Sequence, residues 1–382
     1  VITLQASSRK ELFFQSAFLL IAFALQRIFM MKEAMLYQKL NGDLRCDLCA
    51  HRCRIKPGLA GVCLVRKNDK GKLYTLVYGR TIAQDVDPIE KKPLFHFLPG
   101  SKAYSIATVG CNFHCNFCQN WQISQALREE HFFMGTKAEP KEIVRHAIQS
   151  GCHTIAYTYT EPTIFFEYAY DTAKIAKQNG LRNVFVTNGY ETTECIDMIA
   201  PYLDGVNVDL KSFSDSFYRK VVGAKLQPIK DALIYFKKKR IWLEVTTLII
   251  PEWNDNEQEL QGAAEFIANE LGVDTPWHLS RFYPSYKMID ENITPVATLM
   301  KAMKIGQEVG LHYVYAGNLP SGEYENTYCP NCKIQLITRN QFSIIESRLQ
   351  KGECPECGFK IRGVWNEQGS AQFEPQQFFR TS

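Results

Sequence analysis

The chain has 382 residues, 46% of them hydrophobic and 22% charged, which excludes a disordered chain and allows a barrel-sized core with appendages. A formal net charge of +4 is too small for a dedicated nucleic-acid binder, although a local basic patch for an RNA substrate fits within that average. Thirteen cysteines are present, and eleven fall in three tight groups whose short spacings suit metal ligation better than disulfides, implying a reducing, cytoplasmic setting.

In chain order, residues 1–35 read as a leader outside the folded core. Leu12 to Leu25 is an apolar run after Arg9 and Lys10. It resembles a signal-peptide core but is shorter than the roughly 20 residues of a membrane span. No small-residue cleavage site follows, so the expected start of the native protein is near Met30, Met31 or Met35, with no membrane partner. Residues 36–95 form a cysteine-rich module with Cys46, Cys49, Cys53 and Cys63 and the strand-like LYTLVYG. Four thiolates close a tetrahedral zinc site; an auxiliary iron–sulfur cluster is the alternative. His51 is a substitute ligand or a plain loop residue. The stretch DPIEKKPLFHFLPG that follows reads as an extended linker.

From 96 to 320 strand and helix patterns alternate. The strand candidates are YSIATV, HTIAYTY, NVFVT, GVNVDL, WLEVTTLII and WHLSRFY, with YVYA as an optional seventh. Helical periods lie between them, two ending at Gly151 and Gly180 where a C-cap belongs. This alternation predicts a parallel α/β sheet, either doubly wound or a partial (β/α)6 TIM-like barrel, with active residues at the carboxyl ends of the strands. Residues 321–382 differ: Cys329, Cys332, Cys354 and Cys357 give CxxC…CxxC in a hairpin pattern, a zinc-ribbon-like domain expected to bind Zn2+. Rubredoxin-like iron is the minority reading.

The densest chemistry is Gly110-Cys111-Asn112-Phe113-His114-Cys115-Asn116-Phe117-Cys118, directly after the first strand. Three thiolates at CxxxCxxC spacing suit a cubane cluster and leave one iron open; zinc with an unseen fourth ligand is the bland alternative. Later strands end in Tyr159-Thr160-Glu161-Pro162, Val186-Thr187-Asn188-Gly189 and Asn207-Val208-Asp209-Leu210-Lys211. An acidic and a basic group side by side suit a zwitterionic ligand, although such a pair is also common on ordinary surfaces.

The cysteine loop resembles the signature of the radical S-adenosylmethionine (SAM) superfamily, and the later strand ends resemble glycyl-radical-enzyme activases. Over nearly the whole chain, CDLCAHRCRIKPGLAGVCLVR, GCNFHCNFCQNWQISQ and AYTYTEPTIFFEY are similar to the AmmeMemoRadiSam-system radical SAM enzymes, often labelled pyruvate-formate-lyase-activating-like. The resemblance implies an oxidoreductase-type enzyme with a [4Fe–4S] cluster on Cys111, Cys115 and Cys118 and SAM on the open iron. It implies reductive cleavage of SAM to a 5′-deoxyadenosyl radical that abstracts hydrogen. Phe117 would lie near adenine, and Glu161, Thr187 and Asn188 would contact SAM. Asp209 and Lys211 would serve both binding and catalysis. A ferredoxin or flavodoxin would supply the electron. The substrate would be a small molecule, an RNA, or a partner protein as for an activase; a catalytically silent metal scaffold is the reading from another class. Cys152 and Cys195 read as structural. His278, His312 and Tyr283 are expected either in the core or around the substrate, and the aromatic run Ile164–Tyr168 in the core.

Overall fold

A computed structural model describes residues 31–130, 135–319 and 322–366. Most of the leader (residues 1–30) therefore lies outside the described residues, as does the end of the chain after 366; its last residues correct the expected boundary, since Lys32–Glu33 pairs in a sheet and Ala34 is buried in the folded core. Among the described residues no helix is long and apolar enough to cross a membrane.

The strand Thr154–Tyr157 is buried at all four positions. A strand with water on neither face belongs inside a sheet covered on both sides, and here it pairs in parallel with a neighbour on each edge. Seven such strands lie side by side in chain order: β1 (Lys102–Ala107), β2 (Thr154–Tyr157), β3 (Arg182–Thr187), β4 (Gly205–Asp209), β5 (Trp242–Ile249), β6 (Trp277–Arg281) and β7 (Val314–Gly317). Each crossover carries a helix: α1 (Pro140–Gln149), α2 (Phe166–Gln178), α3 (Thr193–Ile199), α4 (Leu226–Lys238), α5 (Glu257–Phe266) and α6 (Val296–Glu308). The result is a mixed α/β fold of six strand–helix units and a seventh strand, the optional YVYA. An antiparallel strand, Ala83–Pro88, covers the free edge of β1.

Local chemistry explains the helix boundaries. Glu139 and Glu142 form a reciprocal capping box at α1, with Pro140 at the first helical position. Thr192 caps α3 and Asn256 caps α5 through their side chains. Gly151 and Gly180 follow α1 and α2 with φ of 67° and 78°, as their sequence positions predicted. Gly306 of α6 weakens the helical pattern, yet the glycine is required there: a Cβ would lie 3.0 Å from Val314 and 3.1 Å from Trp277.

The supposed linker is a correction. Ile89–Lys91 forms a helical turn, and Ile89, Leu94 and Phe97 pack with Ala103, Ala156 and Val184 beneath the N-terminal ends of β1–β3. The backbone N–H groups of Phe95 and His96 donate to Glu244 of β5, and Asn207 of β4 donates to the carbonyl of Pro93. The segment is a plug. The prolines that suggested an extended chain are compatible with it because its hydrogen bonds go to the sheet side chains rather than to a ladder.

The cysteine-rich module consists of two small antiparallel sheets. One pairs Lys32–Glu33, Lys72–Thr75 and Arg66–Asp69; the other pairs Tyr37–Leu40, Asp43–Cys46 and Arg54–Ile55. It docks near the C-terminal end of β3, where Ala50 N–H donates to the Tyr190 carbonyl at 2.8 Å and Cys49 bridges to Glu191. A fully buried ion pair, Arg66–Glu167 at 2.8 Å, ties it to α2. The C-terminal unit sits at the opposite end of the sheet. Val364 exchanges backbone hydrogen bonds with His96 and Leu98, and Arg339 donates to the Phe95 carbonyl with its guanidinium 4.4 Å from the Phe95 ring centre.

Candidate cluster and cofactor site at the strand ends

The loop that leaves β1 carries Cys111, Cys115 and Cys118 and is pinned from several sides. His114 and Asn116 N–H groups donate to the carbonyls of Val222 and Val221, both at 3.1 Å. Arg128 donates to the carbonyls of Phe113, Cys111 and Val62, joining the loop to the cysteine-rich module. Gly110 has φ of 103°, and a Cβ there would lie 3.1 Å from Val65, so the position needs glycine on both counts.

Two of the three thiols have polar groups aimed at them. Phe113 N–H points at the Cys111 sulfur at 3.4 Å, Asn188 Nδ2 lies 4.0 Å from it, and the Ser124 hydroxyl is 3.2 Å from the Cys118 sulfur. Burial pushes the Cys115 thiol up to about 12, while the nearby Lys211 ammonium pulls the other way. A thiol so buried ionises only with positive charge beside it, which a bound metal supplies. The donor set therefore fits thiolate ligands of an iron–sulfur cluster.

Lys211 and Asp209, at the end of β4, form an ion pair at 2.8 Å. The Lys211 ammonium lies 5.8 Å from the Phe117 ring centre. Burial lowers the Lys211 pKa, but Asp209 and Cys115 more than reverse this, so the amine stays charged. Phe117, Asp209 and Lys211 are thus one constellation beside Cys115.

Glu161, Thr187 and Asn188 form a second constellation, fully buried. The Glu161 carboxylate accepts from Thr163 N–H at 3.0 Å, Thr187 hydroxyl at 2.8 Å and Asn188 N–H at 2.9 Å. Its oxygens are occupied in joining the ends of β2 and β3. Asn188 Nδ2 donates to Asn112 Oδ1 at 2.7 Å, which reaches the loop itself.

Sequence reasoning missed Glu191. Its Oε1 lies 2.6 Å from the Thr187 hydroxyl and 3.1 Å from the Thr163 hydroxyl, and both hydroxyls also contact Glu161. Two hydroxyl protons are shared among four contacts, an arrangement that favours a proton on the carboxyl pair. Burial and then the Glu161 charge raise Glu191 to about 8, and burial also raises Glu161. Glu191 belongs to no strand-end motif, and only its position four residues past Thr187 hints at it.

The C-terminal quartet is a different kind of centre. The ligand atoms of Cys329, Cys332, Cys354 and Cys357 all lie within 4.8 Å of one another, with sulfurs 3.6 Å apart for Cys329–Cys357 and for Cys332–Cys354. Among the described residues no other set of three or more His, Cys, Asp or Glu ligand atoms is this tight.

The remaining candidates resolve. His278 is buried against Glu244 at 2.7 Å, near the N-terminal strand ends and away from the cluster loop. His312 pairs with Asp274 at 2.8 Å before β7 begins. Tyr283 is partly exposed and donates to the Asn318 carbonyl at 3.1 Å. Cys152, Cys195 and the whole run Ile164–Tyr168 are buried. His51 contacts the Asn112 carbonyl at 2.9 Å through Nε2.

The Radical SAM superfamily family model matches residues 105–266, from β1 through α5. An uncharacterized protein of Methanocaldococcus jannaschii is 46% identical over 334 residues, spanning 87% of this chain and 99% of that protein. The pyruvate formate-lyase 1-activating enzyme of Escherichia coli is 23% identical over 179 residues, 44% of this chain and 71% of that enzyme. A solved domain of a pyruvate-formate lyase-activating enzyme from Bacteroides vulgatus covers 43% of this chain and 98% of its own, at 17% identity and a TM-score of 0.38. The matched span contains the three-cysteine loop and the strand ends grouped around it, and the chain belongs to the radical SAM superfamily.

Proposed function

We propose that this protein is a radical SAM enzyme that abstracts hydrogen from its substrate, with Cys111, Cys115 and Cys118 holding a [4Fe–4S] cluster. When bound, the cluster supplies the electron that cleaves SAM reductively to methionine and a 5′-deoxyadenosyl radical. The observation that carries this reading is the constellation of Phe117, Asp209 and Lys211 beside the buried Cys115. Asp209 and Lys211 present opposite charges to the amino and carboxylate groups of SAM, and Phe117 offers an aromatic face to adenine. Glu161 acts as a positioning residue, holding Thr187 and Asn188 at the SAM side of the loop.

The sheet is read as a partial (β/α)6 barrel, with division into a cysteine-rich module (36–95), a barrel (96–320) and a zinc-ribbon-like domain (321–382). Zinc in the last is supported by its spacing: a tetrahedral site with Zn–S of about 2.3 Å puts sulfurs roughly 3.8 Å apart. The 3.6 Å separations of Cys329–Cys357 and Cys332–Cys354 are close to that edge. A low-potential one-electron donor such as ferredoxin or flavodoxin is implied, in a reducing cytoplasm. The substrate is read as a small molecule or an RNA. A partner protein is the second reading, favoured by the similarity to the E. coli activating enzyme over 179 residues.

The test is electron paramagnetic resonance of the dithionite-reduced, anaerobically reconstituted protein with and without SAM. A cubane signal that SAM shifts is expected. A signal indifferent to SAM, or none, would leave a metal-binding scaffold.

A further inference from the structure

Four cysteines of the N-terminal module surround one cavity. Cys46, Cys49, Cys53 and Cys63 line it together with His51, Arg66, Asn112 and Thr163. The sulfurs converge on a common space without converging on a point: no three of the four lie mutually within 4.8 Å, whereas all four C-terminal sulfurs do. A single tetrahedral zinc requires every sulfur pair to be roughly 3.8 Å apart. A cubane cluster, whose irons stand out from its centre, spreads its four thiolates to roughly 6 Å. The C-terminal spacing fits one ion, whereas the N-terminal sulfurs are too far apart for three of them to share one ion.

Two polar atoms support this independently. Arg66 and Asn112 are 2% and 1% exposed, and Arg66 Nε and Asn112 Nδ2 have no hydrogen-bond partner among the described residues. Both residues line the cavity. The other functions of these side chains are met: Arg66 Nη1 pairs with Glu167, and Asn112 Oδ1 accepts from Asn188. Buried donors left unpartnered are costly, about 1–3 kcal/mol each, so an acceptor belongs there. Sulfide and thiolate sulfurs of a cluster are acceptors that such N–H groups commonly serve.

We propose that Cys46, Cys49, Cys53 and Cys63 hold a second [4Fe–4S] cluster, with Arg66 Nε and Asn112 Nδ2 donating to its sulfurs. Four cysteines occupy all four irons, so this centre has no open position for SAM and serves as a one-electron carrier. It takes an electron from a low-potential protein donor, and that same electron passes on to the cluster at Cys111, Cys115 and Cys118, leaving it oxidised again. The two loops are in contact: Arg128 Nη2 donates to the Val62 carbonyl at 2.7 Å and the Cys111 carbonyl at 3.3 Å, one residue from Cys63 and on Cys111 itself. Asn112 both follows Cys111 and lines the second cavity. The relay role rests on the proposed function; the second cluster itself does not.

The experiment compares the reconstituted full chain with a Cys111→Ala/Cys115→Ala/Cys118→Ala variant and with Cys53→Ala/Cys63→Ala, after circular dichroism shows which variants fold. Iron, acid-labile sulfide and zinc are counted per chain. About eight irons are expected in the parent and about four in either variant, with the cubane signal of the triple variant indifferent to SAM. A triple variant with no iron, beside a parent with about four irons that cleaves SAM, would overturn the second cluster alone. Zinc in place of iron at the N-terminal cysteines would overturn it equally. A parent with no SAM cleavage whose triple variant keeps its irons would sink the proposed function and support the second cluster.

Discussion

Asn188 donates its side-chain N–H to Oδ1 of Asn112 at 2.7 Å, linking the C-terminal end of β3 to the residue that follows Cys111. Both residues are buried, at 5% and 1% exposure, so the bond is made away from competing water. Glu161 holds the backbone of Asn188 from below, and the Asn188 amide lies 4.0 Å from the Cys111 sulfur. The cysteine loop is thereby set against β2 and β3 as one unit.

Asn188→Ala removes that donor and leaves a buried oxygen poorly satisfied, at a cost of about 1–3 kcal/mol. The expected result is a lower thermal midpoint and less iron retained through gel filtration. Asn188→Asp, the same size but without the donor, should behave alike. Full iron retention in both would show that the bond does not position the loop.

The buried Arg66–Glu167 pair anchors the cysteine-rich module to α2. Glu167 also accepts from Met35 N–H at 2.6 Å. Removing one partner strands the other charge in the interior, typically costing about 3–5 kcal/mol. Glu167→Ala should lower the urea midpoint accordingly. A change below about 1 kcal/mol would mean the guanidinium finds another partner or water there.

Glu191 makes stability depend on pH. Its pKa is raised from 4.5 to about 8, so the folded state binds its proton more tightly than the unfolded state does. That contribution is fully present below the unfolded value and is lost as pH rises through about 8. Between those limits a single such group gives a slope of about 1.4 kcal/mol per pH unit. Glu191→Gln should flatten the decline in unfolding free energy between pH 6 and 8. Equal slopes in both proteins would assign the proton elsewhere.

The C-terminal quartet should bind one zinc per chain, released by Cys357→Ser without loss of iron from the cluster loop. The reason is distance along the fold: this unit packs at the N-terminal strand ends through Phe95, Tyr315 and Leu336, while the cluster loop leaves the opposite ends. Metal analysis of the variant decides it. Iron lost together with zinc would contradict the separation.

The parallel order and the placement of Cys111, Glu161, Thr187 and Asp209 at successive strand ends were legible because each strand is a short apolar run closed by a helical period. The plug was not legible: Pro93 and Phe95 look like linker residues until Asn207 and Glu244, distant in sequence, supply their partners. Glu191 escaped for a related reason, since its role arises from two hydroxyls shared with Glu161 across three elements. The spacing of Cys46, Cys49, Cys53 and Cys63 left zinc and a cluster both open, and the separation of their sulfurs sets them apart from the tight C-terminal quartet.

The most direct test of the central claim is formation of 5′-deoxyadenosine from SAM under dithionite, compared between the reconstituted protein and Cys115→Ala. The account predicts product from the parent and none above background from the variant. Equal yields from both, or none from a parent that carries a full cluster, would contradict it.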